Sequence, residues 1–150
     1  MHRWDRLKDT SVSLKNLQTA LTIISLAACA SSSQPARRTP VEIWRGGDDG
    51  LTSRFADTLE IAFRGSSEFS LSSGKAPGSL IVVIPSNVTW KQAGGRKQMN
   101  YDIEFTNVSS LSLGSSHGSC DVERLQVCAA RVLGDAKLAR VKFEAAKARR

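Results

Sequence analysis

Two periodicities take turns along this chain. Val41-Glu42-Ile43-Trp44 alternates apolar with polar, which predicts a short strand with Val41 and Ile43 on one face. Leu51, Phe55, Leu59 and Phe63 then recur every fourth residue, with Ala62 beside them, forming one face of an amphipathic helix. "EFSLS" at 68–72 alternates again and predicts a second strand. "SLIVVIP" at 79–85 is a continuous β-branched apolar run, as in a central strand buried on both faces, with extended chain continuing through Val88 and Trp90. Met99, Tyr101, Ile103 and Phe105 alternate with Asn100, Asp102, Glu104 and Thr106, so 79–91 and 98–108 predict an antiparallel hairpin with one buried and one wet face. Val122, Leu125, Ala129, Val132 and Leu133 mark a second amphipathic helix.

Turn-forming residues punctuate these runs. "RGGDDG" at 45–50 reads as a loop in which Asp48 or Asp49 caps the first helix, and Gly65 stops that helix. "SSGKAPG" at 72–78 and "AGGRK" at 93–97 read as turns. "SSLSLGSSHGS" at 109–119 reads as a flexible loop. Gly134-Asp135 is a candidate break, after which 136–150 is a basic, helix-prone tail that extends the helix or frays. The reading is an α+β domain over 41–135, ordered β-α-β-β-β-α: a small mixed or antiparallel sheet with two helices on one face.

Charge adds an asymmetry. The chain of 150 residues carries a formal net charge of +7. Residues 1–28 contribute +2, residues 29–130 balance ten basic against ten acidic side chains, and residues 131–150 contribute +5. A nucleic-acid binder concentrates basic charge on a folded face; here it is terminal, so nucleic acid is not an expected partner. The basic tail suits anionic surfaces such as phosphate headgroups or a partner's acidic patch.

The first forty residues do not follow the domain's pattern. Residues 1–16 are polar and net positive, and 17–28, "LQTALTIISLAA", are apolar and end in small residues. About twelve residues fall short of the roughly 20 that span a bilayer, and match the apolar core of an export signal. Leu26-Ala27-Ala28-Cys29 resembles the lipobox of bacterial lipoproteins. That resemblance implies acylation of the Cys29 thiol, cleavage after Ala28, and a mature protein anchored through Cys29. It also implies, from Ala30 following the cysteine, the periplasmic face of the outer membrane. A long first segment carrying Asp5 and Asp9 departs from the pattern and leaves Met1 open as the true start. Ala28-Cys29-Ala30 also fits ordinary secretory cleavage, with release to the periplasm as the alternative. "ASSSQPARRTP" at 30–40 reads as a flexible tether, so residues 29–40 form the lipidated cysteine and linker.

The element order over 41–133 resembles that of small α/β modules of envelope lipoproteins and their relatives, such as the amino-terminal domain of the TolB translocation protein and curli-secretion lipoproteins. That resemblance rests on order alone and bears on fold alone. With Cys29 assigned to lipid, Cys120 and Cys128 remain as a pair, and an oxidising periplasm favours a disulfide. Eight residues within one helix would hold them ~12 Å apart, too far to bridge. The bond therefore requires Cys120 to precede the helix and fold back on it.

Candidate chemistry is sparse. Gly114-Ser115-Ser116-His117-Gly118 matches the nucleophile-elbow pattern, but no histidine follows to complete a triad. Asp102 and Glu104 share a wet face, as solvated carboxylates do. His117, Cys120 and Cys128 offer three zinc ligands at unusual spacing. No catalytic residue, metal or cofactor is expected. Trp44 and Trp90, each ending an extended segment, and Asp48 and Asp49 are the candidate binding surface. The sequence thus points to a non-catalytic envelope module that contacts another envelope protein and serves an assembly or export complex. The alternative is a periplasmic binder of a small ligand or cell-wall fragment.

Overall fold

A computed structural model describes residues 37–74 and 76–148. Cys29, the lipobox and the tether as far as residue 36 lie outside the described residues. Residues 34–150 form a compact unit by themselves. Its elements are β1 (Thr39–Arg45), α1 (Gly50–Arg64), β2 (Phe69–Leu71), β3 (Leu80–Ile84), β4 (Thr89–Ala93), β5 (Arg96–Asn107), β6 (Ser112–Asp121), a 3-10 turn (Val122–Arg124) and α2 (Leu125–Ala148).

Among the described residues the strands make one mixed six-stranded sheet. β1 runs parallel to β2 on one side and to β3 on the other. β3 and β4 both pair antiparallel with one edge of β5, and β6 pairs antiparallel with its other edge. The α+β class holds, with both helices on one face. Phe55, Leu59 and Phe63 of α1 meet Val41, Leu80, Val82, Ile84, Met99, Ile103 and Phe105 of the sheet in a single core, which α2 closes with Leu125, Ala129, Val132 and Phe143. Each large apolar side chain so buried contributes about 1.5–3 kcal/mol.

Three expectations need correction. The segment read as a flexible loop, 109–119, is mostly strand β6, which follows β5 from Thr106↔Ser112 to Gln98↔Asp121 with one register shift at Phe105/Thr106. Its serines and glycines carry little strand propensity; pairing with β5 and the inward side chains Leu113, Ser116 and Cys120 hold it. The strand after 79–85 is interrupted: β3 ends at Ile84, the chain bends through 85–88, and β4 restarts at Thr89 along the same edge of β5. Finally, Gly134-Asp135 does not break α2, and the domain does not end at 135. Ala136, Ala139 and Phe143 continue the buried stripe begun by Leu125, Cys128, Ala129 and Val132, and that burial outweighs the roughly 1 kcal/mol cost of a mid-helix glycine. As far as Ala148, the basic side chains of the tail lie on the outer face of a core helix.

The strand directions define two ends. β1 starts at one end with Thr39, beside the carboxyl end of α2 and the β5–β6 turn. At the other end lie the loop after β1, the start of α1, the β4–β5 hairpin and the Cys120–Cys128 bond.

Candidate functional site

β2 is only three residues long, so it covers β1 only from Thr39 to Val41. The Thr39 amide donates to the Glu68 carbonyl, and the Val41 carbonyl accepts from the Ser72 amide, both 2.9 Å. Odd-numbered residues of β1 therefore turn their backbone groups toward β2. Gly46 N donates to the Ile84 carbonyl at 2.7 Å, so even-numbered ones turn toward β3. Past Val41, Ile43 and Arg45 turn the same way as Thr39 and Val41, where no strand pairs with them among the described residues. β1 thus carries a short open edge, a ready template for an added strand.

At Ile43 the open edge lies in a groove of about 500 Å³ at the rim of the sheet, walled by Ile43, Trp44, Glu60, Arg64 and residues 71–74. Trp44 is 37% exposed there. Its indole Nε1 donates to Glu42 Oε2 at 3.1 Å, while Glu42 Oε1 accepts from the Ala76 amide at 2.8 Å. Glu42 is buried although it lies on the face away from the helices, with the Ala76 backbone against its carboxylate. That carboxylate ties the indole to Ala76, so the aromatic wall of the groove is pre-set.

The two aspartates divide the labour. Asp49 is the cap of α1: its Oδ1 accepts from the Leu51 and Thr52 amides at 2.8 and 3.0 Å, and its Oδ2 accepts from the Thr52 hydroxyl. Those bonds, the Thr52 hydroxyl foremost, hold its carboxyl below the usual aspartate value. Asp48 instead gives its amide to Asn87 Oδ1 at 2.9 Å. The Thr52 hydroxyl in turn accepts from the Val88 amide at 2.9 Å. The loops after the parallel strands β1 and β3 are thereby tied together. Gly47 sits against Asn87 so closely that a Cβ would collide with its backbone.

Trp90 does not join this arrangement. It pairs with Met99, on the helix-bearing side of the sheet, whereas Trp44 pairs through Val83 with the Glu104 row on the opposite side. Trp90 is 54% exposed on β4, and Lys97 Nζ stands 4.8 Å from its ring centre. The candidate surface of Trp44, Asp48, Asp49 and Trp90 is therefore not one patch. Trp44 lines a groove, Asp49 and Asp48 build a loop, and Trp90 belongs to a separate, exposed hairpin.

The remaining chemistry-bearing residues also find their places. Cys120, at the end of β6, bonds to Cys128 in the first turn of α2, with Cα atoms 5.9 Å apart. The fold-back geometry expected from spacing is the one adopted, and it removes both cysteines from any metal site. Ser116 faces inward and donates to Asp135 Oδ2 at 2.5 Å, while His117, next in the strand, faces outward opposite Asp102. The elbow-like motif is split across the two faces of a strand. The open edge itself is not legible in the sequence, which marks "EFSLS" as a strand but not where its pairing with β1 stops.

No family model matches the chain, and no curated protein matches it. Solved structures that resemble it include a PelC dodecamer from Paraburkholderia phytofirmans, at 15% identity and a TM-score of 0.47, over 65% of this chain and 86% of that one. A DUF330 protein from Xanthomonas campestris resembles it at 8% identity and a TM-score of 0.41, over 75% and 84%. A minor lipoprotein from Acinetobacter baumannii does so at 6% identity and a TM-score of 0.34, over 74% and 94%. Likeness at this level assigns neither activity nor partner.

Proposed function

We propose that this chain is a cell-envelope lipoprotein, anchored through Cys29, whose α+β domain is a non-catalytic interaction module for another envelope protein. The observation that carries the interaction reading is the open edge of β1 at Ile43 and Arg45, which at Ile43 enters the groove beside the pre-positioned indole of Trp44. An extended segment of a partner adds there as a strand in place of the missing continuation of β2. Its backbone supplies the bonds, and Trp44 supplies apolar contact at one side-chain position. The groove is more polar than apolar, with Glu60 and Arg64 on its helical wall, which suits a peptide better than a buried small molecule. The anchor reading rests on the lipobox-like Leu26-Ala27-Ala28-Cys29 following an apolar run.

A photo-crosslinking amino acid placed at position 44 in intact cells tests the edge. A discrete protein adduct is expected from position 44 and not from Asp57, which is exposed on α1. Arg45→Pro removes an outward amide that an edge strand tolerates losing, and should abolish the adduct while the domain stays folded. The same adducts from both positions, or adducts indifferent to Arg45→Pro, would refute the strand-addition reading.

A further inference from the structure

The end of the domain where β1 begins combines three features. First, Arg37, Arg38, Arg140 and Lys147 line a cleft of about 300 Å³ with Glu144 as its acidic member. Lys137 and Arg140 each reach a Glu68 carboxylate oxygen at 2.7 Å. Among the described residues, these five basic and two acidic side chains sum to a charge of +3. Second, an apolar cleft of about 210 Å³ adjoins it, lined by Val108, Phe143 and Ala146 and sharing Gly78 and Lys147 with the cationic one. Third, the β5–β6 turn presents Val108 and Leu111 at 44% and 48% exposure.

That turn is built, not loose. Asn107 Oδ1 accepts from the Ser109 and Leu111 amides, both at 2.9 Å, and the Ser110 amide donates to the Asn107 carbonyl at 2.9 Å. Ser110 is held at φ 59°, an uncommon left-handed conformation for a residue with a Cβ. The result is a fixed projection whose apolar side chains stand in water beside a cationic cleft.

We infer that this end is a membrane-docking face for anionic phospholipid headgroups: the cationic cleft takes a headgroup phosphate, and Val108 and Leu111 enter the interfacial layer. Apolar tips ringed by basic side chains are how peripheral domains settle on anionic bilayers. The chain itself argues for that occupant over an acidic protein. Arg37 lies eight residue steps after Cys29, at most about 28 Å fully extended. If Cys29 is acylated, as proposed above, this end is the one delivered to the bilayer, and β1's open edge lies further along the strand from it. The inference rests on that reading for its setting and not for its chemistry.

The test uses residues 34–150, which form their own compact unit and lack Cys29. They are floated with vesicles of phosphatidylcholine alone or with a third phosphatidylglycerol. Partition onto the anionic vesicles is expected to be at least about 30-fold tighter. Arg37→Gln with Arg38→Gln should weaken it by about 30-fold, at roughly fivefold per charge, and Val108→Ser with Leu111→Ser should weaken it several-fold. Lys91→Gln with Lys97→Gln, at the far end of the sheet, should leave it unchanged. Equal partition onto both vesicles, indifference to either face variant, or an equal loss from the far-end variant would overturn the docking face. Unaltered circular dichroism shows that each variant is folded. Acylation is read separately from the mass of the full-length product, so either idea can fail without the other.

Discussion

Ser116 on β6 donates a 2.5 Å hydrogen bond to Asp135 on α2, tying the edge strand to the point where the sequence suggested that the helix would break. Ser116 is buried, and Asp135 follows a glycine in mid-helix. Removing the donor by Ser116→Ala should cost about 1.5–3 kcal/mol, as for a bond to a charged acceptor. Chemical denaturation of the oxidised protein measures it; a cost below about 0.5 kcal/mol would mean that the bond does not hold β6 to α2.

Gly134→Ala should act in the opposite direction. Nothing lies within 4 Å of where its Cβ would stand. Replacing a helical glycine at such a site should stabilise by up to about 1 kcal/mol. A rise in Tm checks it, and a fall would show that α2 is not continuous there.

The Cys120–Cys128 bond closes a short loop between β6 and α2. Replacing both cysteines by serine should destabilise the domain by about 2.5 kcal/mol on chain-entropy grounds. Thiol labelling without reductant should leave both cysteines unmodified, whereas rapid labelling would contradict the bond.

Two carboxylates set the acid limb of stability. Asp49 is held below its usual value chiefly by the Thr52 hydroxyl, and Glu68 chiefly by its bond to Lys137, with the Lys137 and Arg140 charges adding to it. A carboxyl depressed in the folded state contributes stability at pH values above its unfolded pKa, near 4, and loses it as pH falls through the folded value. Tm measured from pH 7 downward should therefore fall below about pH 4.5. Asp49→Ala or Glu68→Gln should lower Tm at pH 7 and make the acid decline shallower. A parallel downward shift with an unchanged slope would show that the titration belongs elsewhere.

Tyr101 carries the one buried side-chain polar atom among the described residues with no hydrogen-bond partner, its hydroxyl. Its ring lies 5.3 Å from that of Phe55, so the apolar contact is what the core uses. Tyr101→Phe should be neutral or mildly stabilising in denaturation, since it removes an unsatisfied group without changing the ring. A loss above about 1 kcal/mol would reveal a partner for the hydroxyl.

Where large apolar residues recurred, the sequence was legible. Phe55, Leu59 and Phe63 marked α1, and Met99, Tyr101, Ile103 and Phe105 marked β5, because one side chain at each position decides which face is buried. Geometry also sufficed for Cys120 and Cys128, since only one placement of the first cysteine allows the bond. β6 was hidden because its stability comes from pairing with β5, thirteen or more residues away at most of its length, and its own serines and glycines carry no periodic apolar signal. The second half of α2 was hidden because Ala136 and Ala139 bury little area each and sit among lysines and arginines. The candidate site was legible only in part. Trp44 and Trp90 were named together, but they emerge on opposite faces of the sheet, because the face on which each side chain emerges depends on strand registers that local sequence does not specify. The open edge of β1 is a consequence of where β2 stops, and a single strand's sequence does not record the length of its neighbour.

The proposed strand-addition edge at Ile43 and Arg45, and the setting of the proposed docking end, both take their place from the proposal that the chain is exported and anchored through Cys29, outside the described residues. The mass of the mature amino terminus, from protein recovered in the membrane fraction, tests that most directly. The account predicts a chain that begins at Cys29 and carries lipid. A chain retaining Met1 in the cytosol, or one beginning unmodified at Ser31, would contradict it.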